Sequence, residues 1–278
     1  MDLFIGFAGS LLVAGAAFSK KSLTLSGAIA AVLMGTIYYG LGSLIWFGLL
    51  LTFFVTSTFW TKWKKRAKRQ FDHVYEKSGA RDAYQVFANG GIGMLLCIIH
   101  YFYPHEGWLF VFAGVMATVN ADTWATEIGG LSRRSPHSLL TGKEVPAGTS
   151  GAISLLGTQA AIAGAMTIGL AAMLFLYISL DPAFAFPYTW LLLCAVGVGA
   201  SIGGVAGCFT DSFLGATVQS SYQCTSCGAL TEKQLHCDRK TLLKRGFRWM
   251  NNDIVNLLSS IVGGLVAWGA GTLLLQLS

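Results

Sequence analysis

Charge is scarce in this sequence: Asp, Glu, Lys and Arg make up 12% of the 278 residues, while 54% are hydrophobic. Soluble domains carry about a quarter charged residues, so this shortage argues against an ordinary water-soluble fold. A basic leader is missing too. The first apolar run starts at Asp2 with no positive charge ahead of it, which argues against a cleaved signal peptide and for a retained span at 3–18. No persuasive internal repeat is visible, so two inverted halves of a transporter find no support. The G-x-x-x-x-G-K-[ST] spacing is also absent, and the text around Lys143 is not a P-loop.

What is present is a series of apolar runs near the roughly 20 residues that cross a bilayer. Breaks at charge, Pro and Gly delimit spans at 3–18, 23–39, 42–60, 84–103, 107–128, 150–179, 187–208 and 253–276. The expected fold is an all-α, polytopic transmembrane bundle of about eight spans, a single domain over 1–278. All 19 basic residues fall in alternate loops. By the positive-inside rule those loops are cytoplasmic and both termini lie on the other side. The net charge of +6 is thus assigned to topology and anionic lipid headgroups, with no nucleic-acid partner. A plasma-membrane protein with its site facing the cytoplasm is the expectation, and oligomeric state is left open.

Three cytoplasmic segments stand out: 61–83, 129–149 and 211–250. The first, with KWKKRAKRQFDHVYEKSGAR at 62–81, reads as a basic interfacial helix on anionic headgroups, with phosphate binding as the alternative. The second carries Arg133, Arg134 and Lys143 beside Gly-rich backbone. That combination suits a polyphosphate, and amides at a helix start near Thr149 or Ser150 would add an anion site. The same charges also satisfy the topology rule alone.

Carboxylates near span ends are costly and therefore candidates for function. They are Asp122, Glu127, Asp211 and Asp253. On a helix, Asp122 and Thr126 lie about 40° apart, Thr123 about 100° and Glu127 about 140° from Asp122. Asp122 with Thr123 and Thr126 therefore offers oxygen ligands, while Glu127 flanks the site or pairs with Arg133 or Arg134. Asn252, Asp253 and Asn256 form a second oxygen cluster within about 100°, with N-capping as the simpler role for Asn252 or Asp253. Asp211 follows Gly203, Gly204 and Gly207, which admit a close neighbour. Carboxylates and amides from three helices suit Mg2+, a hard cation usually completed by substrate phosphates.

Of the six cysteines, Cys97, Cys194 and Cys208 lie in apolar runs as small hydrophobes. Cys224 and Cys227, followed after eight residues by His236 and Cys237, offer four soft ligands for a structural Zn2+ if the backbone turns between the last two. A redox dithiol, or no metal at all, is the alternative.

The motifs SLTLSGAIAA (22–31), QVFANGG (85–91), NADTWATEIG (120–129), the Lys143 to Gly151 loop, GCFTDSFLGA (207–216), Tyr222 to Gly228, His236-Cys237 and NNDIVN (251–256) resemble the integral-membrane family that includes plant phytyl-phosphate kinase. More distant similarity extends to dolichol and phytol kinases and phosphatidate cytidylyltransferases. The resemblance implies CTP with Mg2+ acting on an isoprenoid, phytyl-type monophosphate as lipid substrate. It implies Asp122 and Asp253 on the metal and Asp211 beside them, with Lys143, Arg133 and Arg134 on the nucleotide. Asn89 and Lys62 join as further binding residues. A lipid-phosphate flippase is the alternative, distinguished by needing polar groups at the midplane and on both sides.

Overall fold

A computed structural model describes residues 1–63, 79–179 and 188–276. Eight long helices are present among them: α1 (Asp2–Ser19), α2 (Leu25–Gly42), α3 (Leu44–Lys62), α4 (Ala83–Phe102), α5 (Gly107–Gly129), α6 (Leu155–Ser179), α7 (Tyr188–Thr217) and α8 (Asn252–Gln276). All but α5 are long and apolar enough to cross a membrane. The chain is an integral, all-α membrane bundle. Residues 64–78, most of the expected interfacial segment, and 180–187 lie outside the described residues.

Local chemistry sets the helix starts. Thr24 caps α2 by accepting from the Gly27 N–H at 3.1 Å. Asp82 and Gln85 form a reciprocal capping box on α4, at 2.9 and 3.2 Å. Ser154 takes the Gly157 N–H at 3.1 Å, and Asn251 takes the Ile254 N–H at 3.1 Å. Two sequence expectations shift accordingly. The sixth span begins at Leu155 because Pro146 to Ile153 is spent on turns and a strand, so the anion-favouring helix start lies at Ser154 and not at Thr149 or Ser150. The seventh helix runs on to Thr217, which makes Asp211 helical where a loop was expected. The cap of α8 is Asn251, a role the sequence reading had weighed for Asn252 and Asp253.

The centre of the bundle is α5, which is fully buried from Phe112 to Ala121. Burial among helices suits its lower apolarity, since Asn120 meets protein and not lipid. The Asn120 amide donates to Gly164 O at 2.8 Å and accepts from Thr56 Oγ1 at 2.9 Å, tying α3, α5 and α6 together. Trp46 stacks on Phe112 at 4.3 Å, and Tyr38 donates to Gly90 O at 2.8 Å. The remaining fold is small. Strands β1 (His137–Ser138) and β2 (Ala152–Ile153) pair antiparallel in the α5–α6 connection. Between α7 and α8, β3 (Ser221–Gln223) is flanked by β4 (Leu230–Thr231) and β7 (Leu242–Arg245), while β5 (Leu235–His236) pairs with β6 (Arg239–Lys240).

The basic connections meet at one end of the bundle. Lys62 Nζ donates to Lys20 O at 3.0 Å, the Arg81 N–H to Ser22 O at 3.0 Å, and Ser150 Oγ to Glu232 at 2.9 Å. Glu127, near the end of α5, acts on Arg81 of the α3–α4 connection and so joins the two sets, which places the α1–α2, α3–α4, α5–α6 and α7–α8 connections on one face.

Candidate functional site

Three helices carry small residues at every fourth position, each series ending on a polar side chain. They are Gly199, Gly203, Gly207 and Asp211 on α7; Gly271, Ala267, Gly263 and Ser259, read backwards, on α8; and Gly114, Thr118 and Asp122 on α5. Residues four apart share a helix face, and small ones let backbones approach closely. A Cβ at Gly203 would strike Gly263 O and stand 2.7 Å from the Ala267 Cβ; one at Gly199 would stand 2.8 Å from Ala267 O. At either Gly207 or Gly263 it would strike Thr118 Oγ1. Thr118 therefore sits where the three helices meet, and Asp122, Asp211 and Ser259 each lie one turn beyond that junction toward the basic face.

That geometry brings the polar ends together. Asp211 is only 9% exposed. Its Oδ2 accepts from Ser259 Oγ at 3.1 Å; with the Asn256 amide turned to satisfy its neighbours, its nitrogen donates to the same Oδ2 at 3.0 Å and to Asn252 O at 3.2 Å. Asp122 and Asp211 act electrostatically on each other and both on the Cys208 thiol. Two neighbouring carboxylates inside a packed junction favour a counter-cation, because burying uncompensated charge is expensive. Their hard oxygen donors fit Mg2+.

Beside this pair lies a cavity of about 130 Å³, lined by Asp122 and Thr126 from α5, Ser154, Gly157 and Thr158 from α6, and Cys208 and Ser212 from α7. The α5–α6 connection closes it with Ser132, Arg134, Gly148 and Thr149. The amino end of α6, with its positive dipole, opens into this space. Gly151 lets the connection lie on the end of α7: its φ is +78°, and a Cβ would collide with the Ala216 backbone.

The other expected residues are dispersed. Arg133 and Lys143 are exposed and outside the cavity lining, so of the three loop cations only Arg134 is at the cavity. Thr123 bonds back to Val119 O at 2.8 Å. Asp253 stands in the first turn of α8, about 60° around from Asn256, and Asn252 is exposed. Lys62 is engaged by the α1 end, and Asn89, whose amide donates to Gln85 O at 2.8 Å, lines a different cavity. Of the three cysteines in apolar runs, Cys194 is exposed on the surface of the bundle, whereas Cys97 and Cys208 are buried.

Glu127 points to another partner than the loop arginines. It acts on Arg81, whose Nη1 donates to Ser57 Oγ at 3.1 Å and whose guanidinium lies 5.6 Å from the Phe53 ring centre. Burial lowers the Arg81 pKa, and Glu127 pulls it back upward. Arg81 and Ser259 were both missed by sequence reasoning. Arg81 looked like one more base in a basic segment; Ser259 had a signal in its four-residue spacing from Gly263.

The second cavity, about 70 Å³, lies among α1 to α4 and is lined largely by Met34, Phe47, Leu50, Phe53 and Phe54, with Arg81, Gln85 and Asn89 as its polar members together with Ser10. Ser10 Oγ is buried without a hydrogen-bond partner. It shares no lining residue with the polar cavity.

Outside the bundle, Cys224, Cys227, His236 and Cys237 converge, with one ligand atom from each all lying within 4.8 Å of one another. Backbone N–H groups of Cys227 and Ser226, then the His236 and Cys227 side chains, pull the Cys224 thiol down to about 6. The side-chain bond with Cys227 and the crowding of sulfurs push Cys237 up to about 11.

Comparison with known proteins agrees with this membrane architecture. The chain is 33% identical over 232 residues to Protein PGR of Arabidopsis thaliana, covering 78% of each chain. It is 30% identical over 253 residues to an uncharacterized membrane protein of Methanocaldococcus jannaschii, covering 89% of this chain and 86% of that one. Identity to Protein VTE6, chloroplastic, of Arabidopsis thaliana is 28% over 263 residues, covering 92% and 68%. No solved structure matches. The model of the integral membrane protein family DUF92 matches residues 8–264, and the chain belongs to that family.

Proposed function

We propose that the protein is a CTP-dependent, Mg2+-dependent kinase that phosphorylates an isoprenoid, phytyl-type monophosphate at the basic face of the membrane, taken as cytoplasmic. The observation that carries this reading is that Asp122 and Asp211, each one turn beyond three close-packed helix faces, act electrostatically on each other, with Asp122 lining a polar cavity that Arg134 also lines. The motif resemblance supplies the substrate class and the nucleotide.

Phosphoryl transfer needs positioning and charge neutralisation more than covalent chemistry. Asp122 and Asp211 would hold the Mg2+, with Asp253 and Asn252 at the same end of α8, and the ion would neutralise phosphate oxygens. Asn256 and Ser259 fix the Asp211 carboxylate so that it need not reorganise. Arg134 and the α6 amino end would bind the nucleotide phosphates. An acceptor phosphate oxygen attacks the γ-phosphorus in line, the bond to the β-phosphate oxygen breaks, and CDP leaves. The acceptor is already an anion, so no general base is required. The isoprenoid chain would lie among the helices with its head at the interface.

The test is direct. Full-length protein in detergent, with Mg2+, γ-labelled CTP and phytyl monophosphate, should yield labelled diphosphate, and Asp122→Asn should lower the rate by about a thousandfold or more, in line with the loss of strong charge stabilisation. Undiminished transfer by a folded Asp122→Asn protein would refute the assignment. Movement of a lipid phosphate between vesicle leaflets without nucleotide would instead favour a flippase.

A further inference from the structure

The cysteine cluster is built from two turns. In the first, Cys224 leaves β3, the Ser226 N–H points to Cys224 Sγ at 3.4 Å, and the Gly228 N–H donates to Cys224 O at 3.0 Å. Gly228, at φ +74°, returns the chain to β4. The second turn is the two-residue hairpin between β5 and β6, where His236 pairs with Arg239. Cys237 and Asp238 occupy its corner with φ of +53° and +55°. Both central residues being left-handed is the mark of a type I′ turn, which favours Gly, Asn and Asp. Cysteine is not a residue that turn selects. The conformation costs about 1–2 kcal/mol for a non-glycine residue, yet it is what lets the adjacent His236 and Cys237 face one point.

The spacings decide what that point suits. In a tetrahedral site with Zn–S near 2.3 Å and Zn–N near 2.0–2.1 Å, neighbouring ligand atoms stand about 3.4–3.8 Å apart. Here Cys237 Sγ is 3.3 Å and Cys227 Sγ 3.6 Å from His236 Nδ1, and the two sulfurs are 3.9 Å apart. These three separations lie within about 0.1 Å of that range and outline one face of a four-ligand site, with a Cys224 ligand atom within 4.8 Å of the others, and the two sulfurs stand nearly twice as far apart as the roughly 2.05 Å of a disulfide.

The module is not isolated from the bundle. Glu232, between β4 and β5, accepts from Ser150 Oγ and from Gln219 Nε2 with the same oxygen, both at 2.9 Å. Arg245 on β7 donates to Gly215 O at 2.8 Å and reaches Ser150 O at 3.5 Å. Ser150 directly follows Thr149, which lines the polar cavity. Such short strands have almost no apolar core and need another source of rigidity.

We propose that Cys224, Cys227, His236 and Cys237 bind a structural Zn2+, and that the metal, by stiffening the module that carries Glu232 and Arg245, clamps the α5–α6 connection over the cavity. This stands apart from the kinase reading, because none of its measurements involves nucleotide or lipid.

Full-length protein purified in detergent without chelator should hold about one zinc per chain, as a closed four-ligand site does. The double variant Cys227→Ser, Cys237→Ser should fall below about a tenth of that, and Cys194→Ser should retain it. Replacement by Co2+ should give the absorption of tetrahedral thiolate coordination, a readout that does not depend on any variant folding. Stripping the metal should then raise amide exchange in peptides covering 144–152 by about tenfold or more, since local opening follows lost bracing. Absence of zinc together with absence of the cobalt spectrum overturns the site, as does a disulfide among these cysteines in freshly purified protein. Zinc bound with unchanged exchange at 144–152 overturns the clamp.

Discussion

The two cavities of this bundle are made by opposite means. Beside the polar one, α5, α7 and α8 are drawn together by glycines until backbone meets backbone, which leaves little room at that junction for side chains to adjust. Around the apolar one, α1 to α4 are held apart by Phe47, Phe53, Phe54 and Met34, long or flat side chains with rotamers to spare. The difference shows where the molecule requires exact placement. At the glycine junction the acids are set by contacts that leave little freedom, while a crevice among large apolar side chains leaves room for variation.

Four substitutions, with one control and one second-site partner, sharpen this contrast. The largest effect on stability is expected from Gly203→Leu, which forces a side chain into Gly263 O and Ala267. It should cost at least about 3 kcal/mol, seen as a large fall in detergent melting temperature. Gly15→Leu, where a Cβ meets nothing within 4 Å, should melt like wild type. Equal sensitivity at both positions would break the comparison.

Next comes Arg81→Met, which leaves Glu127 without the guanidinium that acts on it. Removing one partner of such a pair should destabilise by about 2–4 kcal/mol. Adding Glu127→Gln should restore at least half of that, and a double-mutant cycle with no coupling would dissolve the pair. Ser259→Ala removes one donor to Asp211 and should cost about 1–2 kcal/mol in transition-state stabilisation, roughly tenfold in rate, with melting little changed. The smallest effect, of opposite sign, belongs to the apolar side. Ser10→Ala deletes a buried hydroxyl without a partner and should leave stability unchanged or raise it by up to about 1 kcal/mol.

Much of this architecture was legible before any coordinates. Apolar run length gave the helices, and the distribution of lysine and arginine pointed to the shared face on which their connections meet. Asp122 announced itself by standing inside an apolar run. What stayed hidden was partnership between distant residues. For Glu127 the sequence offers a place flanking the site or a pairing with Arg133 or Arg134, whereas the charge it acts on lies 46 positions earlier, brought close by the α3–α4 connection. The polar text FTDS suggested a loop beyond the seventh span, but Asp211 meets Ser259 of α8 and the helix continues to Thr217. Lys143 and Arg133 satisfied a charge rule without reaching the cavity. The four-residue spacing that joins Gly207 to Asp211 and Gly263 to Ser259 was there to be read; only the glycines of α7 were recognised as contact surface.

A helix that is also a ruler cannot change length freely. Inserting a single residue between Gly207 and Asp211 would swing the carboxylate about 100° around the axis and 1.5 Å along it, away from Ser259 and Asn256. In descendants of such a chain the interval between the close-packed glycines and the acids should survive only in steps that keep the same face, and gaps among relatives should cluster elsewhere.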